Sequence, residues 1–237
     1  MKAFHSGHDL LTMNQKTRID NRLPVAREGI PFILCSLIAT LILLFFDLWI
    51  LSIPACLIFL FIIYFFRDPE RENNAIKNSI LSPADGRILK VENINDNENP
   101  LGEPAVRASI FMSVFNVHVN RIPISGRITD IVYNKGSFLS ANLDKASEQN
   151  ENNMLVLETS EGKRIVFIQI AGLIARRIAC WIKKQDYVEA GQRFGLIRFG
   201  SRLDIYIPQD TEVITRPRDK VKAGVTVIGY LNENNRR

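Results

Sequence analysis

From Ile30 to Phe66 the chain carries one charged residue, Asp47. A run of that length that is apolar all round has no polar face to turn to water. Asp47 divides it into Ile30–Phe46 and Leu48–Phe66. Coiled as a helix, the first piece spans roughly 25 Å against a hydrocarbon core of about 30 Å. The run therefore predicts a membrane helical hairpin with a tight turn near Asp47. Two spanning helices fit, and so does a re-entrant hairpin in one leaflet, with Pro31 and Pro54 allowing bends. A soluble core hairpin is the alternative that the missing polar face disfavours.

The flanks set the orientation. Lys16, Arg18, Arg22 and Arg27 precede the run, Arg67 and Arg71 follow it, and the turn has neither Lys nor Arg. Both ends are then expected in the cytoplasm, at the cytoplasmic face of the cell membrane. Three regions follow: a polar leader over 1–28 without a signal-peptide pattern, the membrane hairpin over 29–67, and a β-rich domain over 68–237. The net charge of +5 suits an anionic membrane surface or an anionic substrate. No basic stripe is interleaved with aromatics, so no nucleic acid partner is expected. Cys35, Cys56 and Cys180 lack metal-ligand spacing and read as small buried hydrophobes in a reducing compartment, and no metal is expected. His5 and His8 fall in the polar leader, which leaves His118 as the one histidine of the β-rich domain.

Beyond Ser79 the pattern changes to short runs of β-formers broken by turn residues. Candidate strands are Gly86–Val91, Val106–Met112, Arg127–Tyr133, Met154–Thr159, Arg164–Ile170, Leu196–Phe199, Leu203–Ile207 and Val225–Leu231. Such spacing points to a mainly β sandwich or small barrel. Gly86-Arg87-Ile88 recurs as Gly126-Arg127-Ile128, and Val188-Glu189-Ala190-Gly191 as Val221-Lys222-Ala223-Gly224. The second echo looks like the turn of a lipoyl-type barrel-sandwich hybrid, though both are short enough for chance. The polar stretch Ser137–Asn153 is expected to hold a short helix and a long loop.

Chemistry centres on Gly200-Ser201, inside Arg198-Phe199-Gly200-Ser201-Arg202. Glycine reaches backbone angles that expose its carbonyl to the next hydroxyl, although Gly-Ser also makes ordinary turns and bulges. A serine nucleophile needs a base and a group that orients the base. His118 titrates near neutrality when unperturbed. Asp85, in Pro83-Ala84-Asp85-Gly86, sits at a turn that holds a carboxylate rigidly, although Asp-Gly is also a plain turn dipeptide. A second Gly-Ser, Gly136-Ser137, lacks the Arg-Phe context and is set aside as a cleavage site.

Taken together, the motifs resemble the short form of the phosphatidylserine decarboxylase family. They are Tyr64-Phe65-Phe66-Arg67-Asp68-Pro69-Glu70-Arg71, Ser82-Pro83-Ala84-Asp85-Gly86, Asn116-Val117-His118-Val119-Asn120-Arg121, Asp144-Lys145-Ala146-Ser147, Ala171-Gly172-Leu173-Ile174-Ala175-Arg176-Arg177-Ile178 and the Gly-Ser segment. The resemblance covers roughly residues 25–231, in the family's order. It implies that Ser201, helped by His118 and Asp85, attacks the carbonyl of Gly200, and that the chain splits into a β chain 1–200 and an α chain 201–237. Residue 201 becomes a covalent pyruvoyl cofactor, and the two pieces stay together as an α/β heterodimer. The pyruvoyl ketone then forms a Schiff base with phosphatidylserine, carbon dioxide leaves, and phosphatidylethanolamine is released. At most one of Arg176 and Arg177 is expected to meet the substrate phosphate, since neighbours on a strand face opposite ways. Longer relatives have a second histidine where this chain has Phe115, which leaves open what handles the carboxylate. Two other readings of the same residues remain at this stage: a non-catalytic membrane-anchored adaptor with a lipoyl-like barrel, and a membrane serine hydrolase using Asp85, His118 and Ser201.

Overall fold

The computed structural model describes residues 23–72, 75–95, 99–136, 150–172, 177–198 and 201–232. A 3-10 turn (Arg27–Gly29) leads into helix α1 (Ile30–Phe45), and α2 (Trp49–Phe65) returns beside it. Between them Asp47 adopts a φ of 55°, in the left-handed region that Asp tolerates better than bulky residues. That conformation places the only charge of the apolar run at its turn. The side chains around the turn point outward, with Phe45 81% and Ile50 88% exposed. The stretch Arg27–Phe45 is long and apolar enough to cross a membrane, while Trp49–Phe65 is shorter. Cys35 and Cys56 are exposed on this hairpin and Cys180 is half-buried. Within the protein itself Cys35 and Cys56 are therefore not covered, because a two-helix hairpin covers only the stripe where its helices touch, and Cys180 on the strand Ile178–Cys180 is covered in part.

The base of the hairpin is stitched to the β domain. The Ala26 N–H donates to the Phe66 carbonyl at 2.7 Å and the Asp68 N–H to that of Pro24 at 2.8 Å. Phe65 and Phe66 are fully buried in a cluster with Ala26, Val117, Val119 and Leu196. Burial of each phenyl ring contributes about 2–3 kcal/mol, so the hairpin is anchored by packing as well as by backbone pairing.

The β domain is built on an eight-stranded sheet ordered β13-β2-β3-β11-β7-β6-β5-β9. Its strands are β2 (Gly86–Ile94), β3 (Ala105–Met112), β5 (Gly126–Asn134), β6 (Asn152–Glu158), β7 (Arg164–Ala171), β9 (Tyr187–Val188), β11 (Ser201–Pro208) and β13 (Lys220–Val221). Two three-stranded sheets flank it. One runs β4 (Val119–Arg121), β10 (Arg193–Ile197), β8 (Ile178–Cys180), and the other β1 (Ser79–Leu81), β14 (Val227–Tyr230), β12 (Glu212–Val213). The architecture is mainly β behind an N-terminal apolar helix pair, as the sequence predicts. Asn152 already lies in β6, so the polar loop ends earlier than expected, and residues 137–149 of that stretch lie outside the described residues.

The two sequence echoes occupy matching places in the large sheet. Val221 pairs with Gly86 at one edge, and Val188 pairs with Gly126 at the other. Register shifts follow at Ile88/Lys90 and at Ile128/Asp130. Gln185 and Arg218 have φ of 77° and 79° in equivalent turns. Glycine is required at 86 and 126 because a Cβ would strike the carbonyl oxygens of Phe111 and Glu158 respectively. The sheet is thus two similar halves, β13-β2-β3-β11 and β9-β5-β6-β7, joined along the β11–β7 pair. Ser201 starts β11 at that seam, opposite Met112 on β3 and Ala171 on β7.

Candidate active site

Alternation along β11 turns Ser201, Leu203 and Ile205 to one side and Arg202 and Asp204 to the other. Leu203 and Ile205 join the main core with Met112 and Ala171. Ser201 is fully buried beside them, and its hydroxyl donates to the Met112 thioether at 3.8 Å. A thioether is a weak acceptor, so little binds this hydroxyl in place. On the opposite face, the Arg202 guanidinium grips the Asp204 carboxylate through two bonds of 2.7 and 2.6 Å. Both side chains are buried. Such a pair is costly to break from one side, and it fixes the first turn of strand after residue 200.

His118 precedes β4 and is completely buried, with its ring centroid 4.2 Å from that of Phe65 at the end of α2. Its backbone carbonyl accepts from the Ile197 N–H at 3.4 Å, on the strand that leads toward residue 201. Nδ1 lies 3.0 Å from the Asn116 carbonyl oxygen. A carbonyl can only accept, so Nδ1 carries the hydrogen and Nε2 presents a bare lone pair. Among the described residues Nε2 has no hydrogen-bond partner. Burial pushes the pKa of His118 down to about 4; the Asn116 bond opposes this, Arg67 reinforces it, and the Asp85 charge opposes it. A neutral imidazole with a free Nε2 is the protonation state a general base requires at neutral pH.

Asp85, from the turn before β2, does not hydrogen-bond His118. Its two carboxylate oxygens accept from the Arg71 guanidinium at 2.5 and 2.9 Å, and one also accepts from the Ala223 N–H at 2.8 Å. The role of orienting His118 falls to the Asn116 carbonyl, and Asp85 reaches the imidazole through its charge. The neighbours of Arg71 in the Arg67–Arg71 segment extend the same suture. Arg193 bonds Asp68 at 2.9 Å and Glu70 at 2.8 Å, Arg121 bonds the Pro69 carbonyl at 2.9 Å, and Arg67 bonds the Phe115 carbonyl at 2.8 Å. The segment that ends the hairpin therefore frames both Asp85 and the loop carrying His118.

Gly200 and Arg176 lie outside the described residues, as do Asp144–Ser147. Arg177 is exposed and its carbonyl accepts from the Arg198 N–H at 3.4 Å. Sequence reasoning quoted Arg198 only as cleavage-site context. Its guanidinium lies over the Phe32 ring of α1, 5.3 Å from the centroid, and its buried Nε has no hydrogen-bond partner among the described residues. It makes no ion pair among the described residues. An unneutralised guanidinium stands where the apolar hairpin meets the strand leading to Ser201, and it is suited to an oxyanion.

The chain is similar to known proteins over most of its length. A family model described as phosphatidylserine decarboxylase matches residues 58–229. Phosphatidylserine decarboxylase proenzyme of Syntrophus aciditrophicus (strain SB) is 51% identical over 207 residues, covering 86% of this chain and 96% of that relative. The proenzymes so named from Desulfotalea psychrophila and Wolbachia pipientis wMel are 47% and 48% identical, covering 89% of this chain in each case and 98% and 93% of the relative.

Proposed function

The chain belongs to the phosphatidylserine decarboxylase family, and on that premise we propose that it converts phosphatidylserine to phosphatidylethanolamine with a pyruvoyl group made from its own Ser201. The observation that carries this reading is the complete burial of both Ser201 and His118, on segments joined by the Ile197 N–H to His118 carbonyl bond, with the His118 Nε2 unpartnered among the described residues. A serine with no exposed surface is poorly placed for an external ester or peptide, which counts against the hydrolase. It is well placed for the carbonyl of the residue before it. Family membership counts against the adaptor.

In maturation, His118 Nε2 takes the hydroxyl proton of Ser201 as Oγ attacks Gly200, and the Asn116 carbonyl holds the imidazole in the accepting tautomer. Resting-state hydrogen bonds between such groups are often unmade and tighten only in the reacting complex. Asp85 supplies negative charge that favours the imidazolium once it forms, while Arg71 and the Ala223 N–H keep that carboxylate in place. The residues fit a pyruvoyl group at 201: His118 Nε2, unpartnered among the described residues, can accept a proton in a buried site and return it once protonated. When formed, that group supplies an electron sink for the decarboxylation of an amino acid headgroup. The cut yields chains 1–200 and 201–237, which stay paired because β11 lies between β3 and β7.

The hairpin is the proposed membrane anchor, at the cytoplasmic face, and phosphatidylserine is presented at its base. Arg198, with Arg177 nearby, is the proposed contact for the lipid phosphate. Replacing Arg198 by Gln is expected to raise KM for phosphatidylserine about tenfold per cleaved enzyme, with kcat little changed, consistent with loss of a charge-assisted bond. An unchanged KM would remove Arg198 from the substrate site. The reading as a whole is tested by denaturing mass spectrometry and release of labelled carbon dioxide from phosphatidylserine. Two fragments, the smaller blocked at its N-terminus, and carbon dioxide release are expected. One intact folded chain without release would overturn it.

A further inference from the structure

Three buried amides form a directed chain that ends at the Met112 sulfur, the acceptor it shares with the Ser201 hydroxyl. Asn153 Nδ2 donates to Gln169 Oε1 at 2.9 Å, Gln169 Nε2 donates to Asn120 Oδ1 at 2.9 Å, and Asn120 Nδ2 donates to Met112 Sδ at 3.5 Å. Asn120 and Gln169 are wholly buried and Asn153 nearly so. The direction of the chain is fixed at its far end. A thioether sulfur has no hydrogen to give, so the amide group facing it must be the NH2. Asn120 then turns its oxygen to Gln169, and Gln169 its oxygen to Asn153. The same Met112 sulfur is the acceptor for the Ser201 hydroxyl at 3.8 Å. Two good donors, one of them Oγ itself, thus converge on one poor acceptor inside the core. A buried amide N–H is usually paired with oxygen, and here it is held on sulfur by a relay whose far member, Asn153, also bonds the Cys180 thiol.

We propose that Asn120 donates its amide N–H to the Ser201 oxygen during the elimination half of self-cleavage, with Gln169 and Asn153 as its positioning residues. This rests on the proposed pyruvoyl maturation and concerns one atom in it. In the first half, Oγ bonds to the Gly200 carbonyl carbon, the amide bond to the Ser201 nitrogen breaks, and the hydroxyl proton ends on that nitrogen. The product is an ester through Oγ. In the second half a base removes the Cα hydrogen of residue 201, the Cβ–Oγ bond breaks, and Gly200 departs as a carboxylate that keeps Oγ. Residue 201 is left as dehydroalanine, and water then hydrolyses its enamine to the ketone with loss of ammonia. In the first half Oγ passes its electron density on to the carbonyl it attacks, whereas in the second it keeps the electron pair of the breaking Cβ–Oγ bond. A donor preorganised at that oxygen strengthens as the charge develops and lowers this barrier more than that of the first step. The Met112 side chain, unbranched and with several rotatable bonds, can give up its place at the amide without disturbing the sheet.

The test separates the ester from both the uncut and the finished chain. Hydroxylamine cleaves an ester at residue 201 to a Gly200 hydroxamate and a free N-terminal serine, both read by mass. In Asn120→Leu, elimination is expected to slow about a hundredfold, the scale for losing one donor at a developing oxyanion. Hydroxylamine-sensitive ester should then accumulate in freshly folded protein, whereas the wild type shows only traces. Asn120→Leu with Gln169→Leu removes both ends of one hydrogen bond and guards against misfolding of the single variant, and it should accumulate the same ester. Gln169→Leu alone should give a smaller accumulation, since Asn120 keeps its donor and loses its orientation. Folded variants that reach the blocked α chain at the wild-type rate would overturn the proposal. So would folded variants that stay uncut without hydroxylamine-sensitive ester, or failure of all three to fold, which would make the amides a packing device. A wild type that is itself never cut would instead overturn the pyruvoyl reading.

Discussion

Ser201→Ala is expected to run as one uncut polypeptide under denaturing conditions and to release no carbon dioxide from phosphatidylserine. Ser201 Oγ is at once the attacking atom and the leaving atom of the proposed maturation, and alanine provides neither. No neighbour can substitute, because the hydroxyl occupies a closed position facing Met112 and Ala171. The fold should survive. The substitution removes one weak hydrogen bond to sulfur, a loss of about 1 kcal/mol or less, and adds no bulk to the β3–β11–β7 seam. The variant is therefore also the means of trapping the precursor with His118 in place. Appearance of two fragments from Ser201→Ala would locate the cut elsewhere and remove the chemistry from this strand.

What the sequence made legible is what lies close along the chain. The apolar hairpin follows from an uninterrupted run and its turn from one aspartate. The long strands follow from alternation, and β2, β3, β5, β6, β7 and β11 all overlap their expected ranges. The Gly-Arg-Ile and Val-x-Ala-Gly echoes were visible, but their meaning depended on the pairing of Val221 with Gly86 and of Val188 with Gly126. The short strands β4, β8, β9 and β13 carry too few residues to show a period, and three-residue β4 begins just after His118.

The site divides in the same way. Asp85, His118 and Ser201 stand out by motif, whereas their hydrogen-bond partners do not. Arg71 pairs with Asp85 because the end of the hairpin folds back on the domain, and no local pattern announces that contact. The carbonyl that orients His118 is a backbone atom, and backbone acceptors leave no trace in composition. Asn153 and Gln169 are cross-strand neighbours on β6 and β7, and the Asn120 amide reaches them from β4 in a different sheet, a meeting no local pattern announces. Arg198 was visible as a letter in a motif, but its unpaired state is a property of packing.

His118→Gln is expected to slow self-cleavage by at least a hundredfold, the usual contribution of a positioned general base. Glutamine can occupy the space under Phe65 and still bond the Asn116 carbonyl, but it cannot accept a proton. The wild type should cut at a rate that hardly changes between about pH 8 and pH 5, and the rate should fall as pH drops through the folded pKa of about 4. The same burial links pH to stability, and the sign can be fixed. The unfolded imidazole has a pKa of about 6.5, so as pH falls the unfolded chain binds this proton first. Above that value His118 contributes no pH dependence. Between about 6.5 and 4 stability is lost, up to ~3 kcal/mol from this group. Thermal melts in detergent at pH 7.5 and 4.5 should show a smaller difference for His118→Gln than for Ser201→Ala, which keeps the imidazole. An inflection of the cleavage rate near pH 6.5 would mean that the imidazole sits in water. The packing of the hairpin against it would then be a poor guide to the working site. A flat profile that falls only near pH 4 would tie the base, its burial and the Phe65 ring above it into one arrangement, in which the end of the apolar hairpin keeps the imidazole neutral near pH 7.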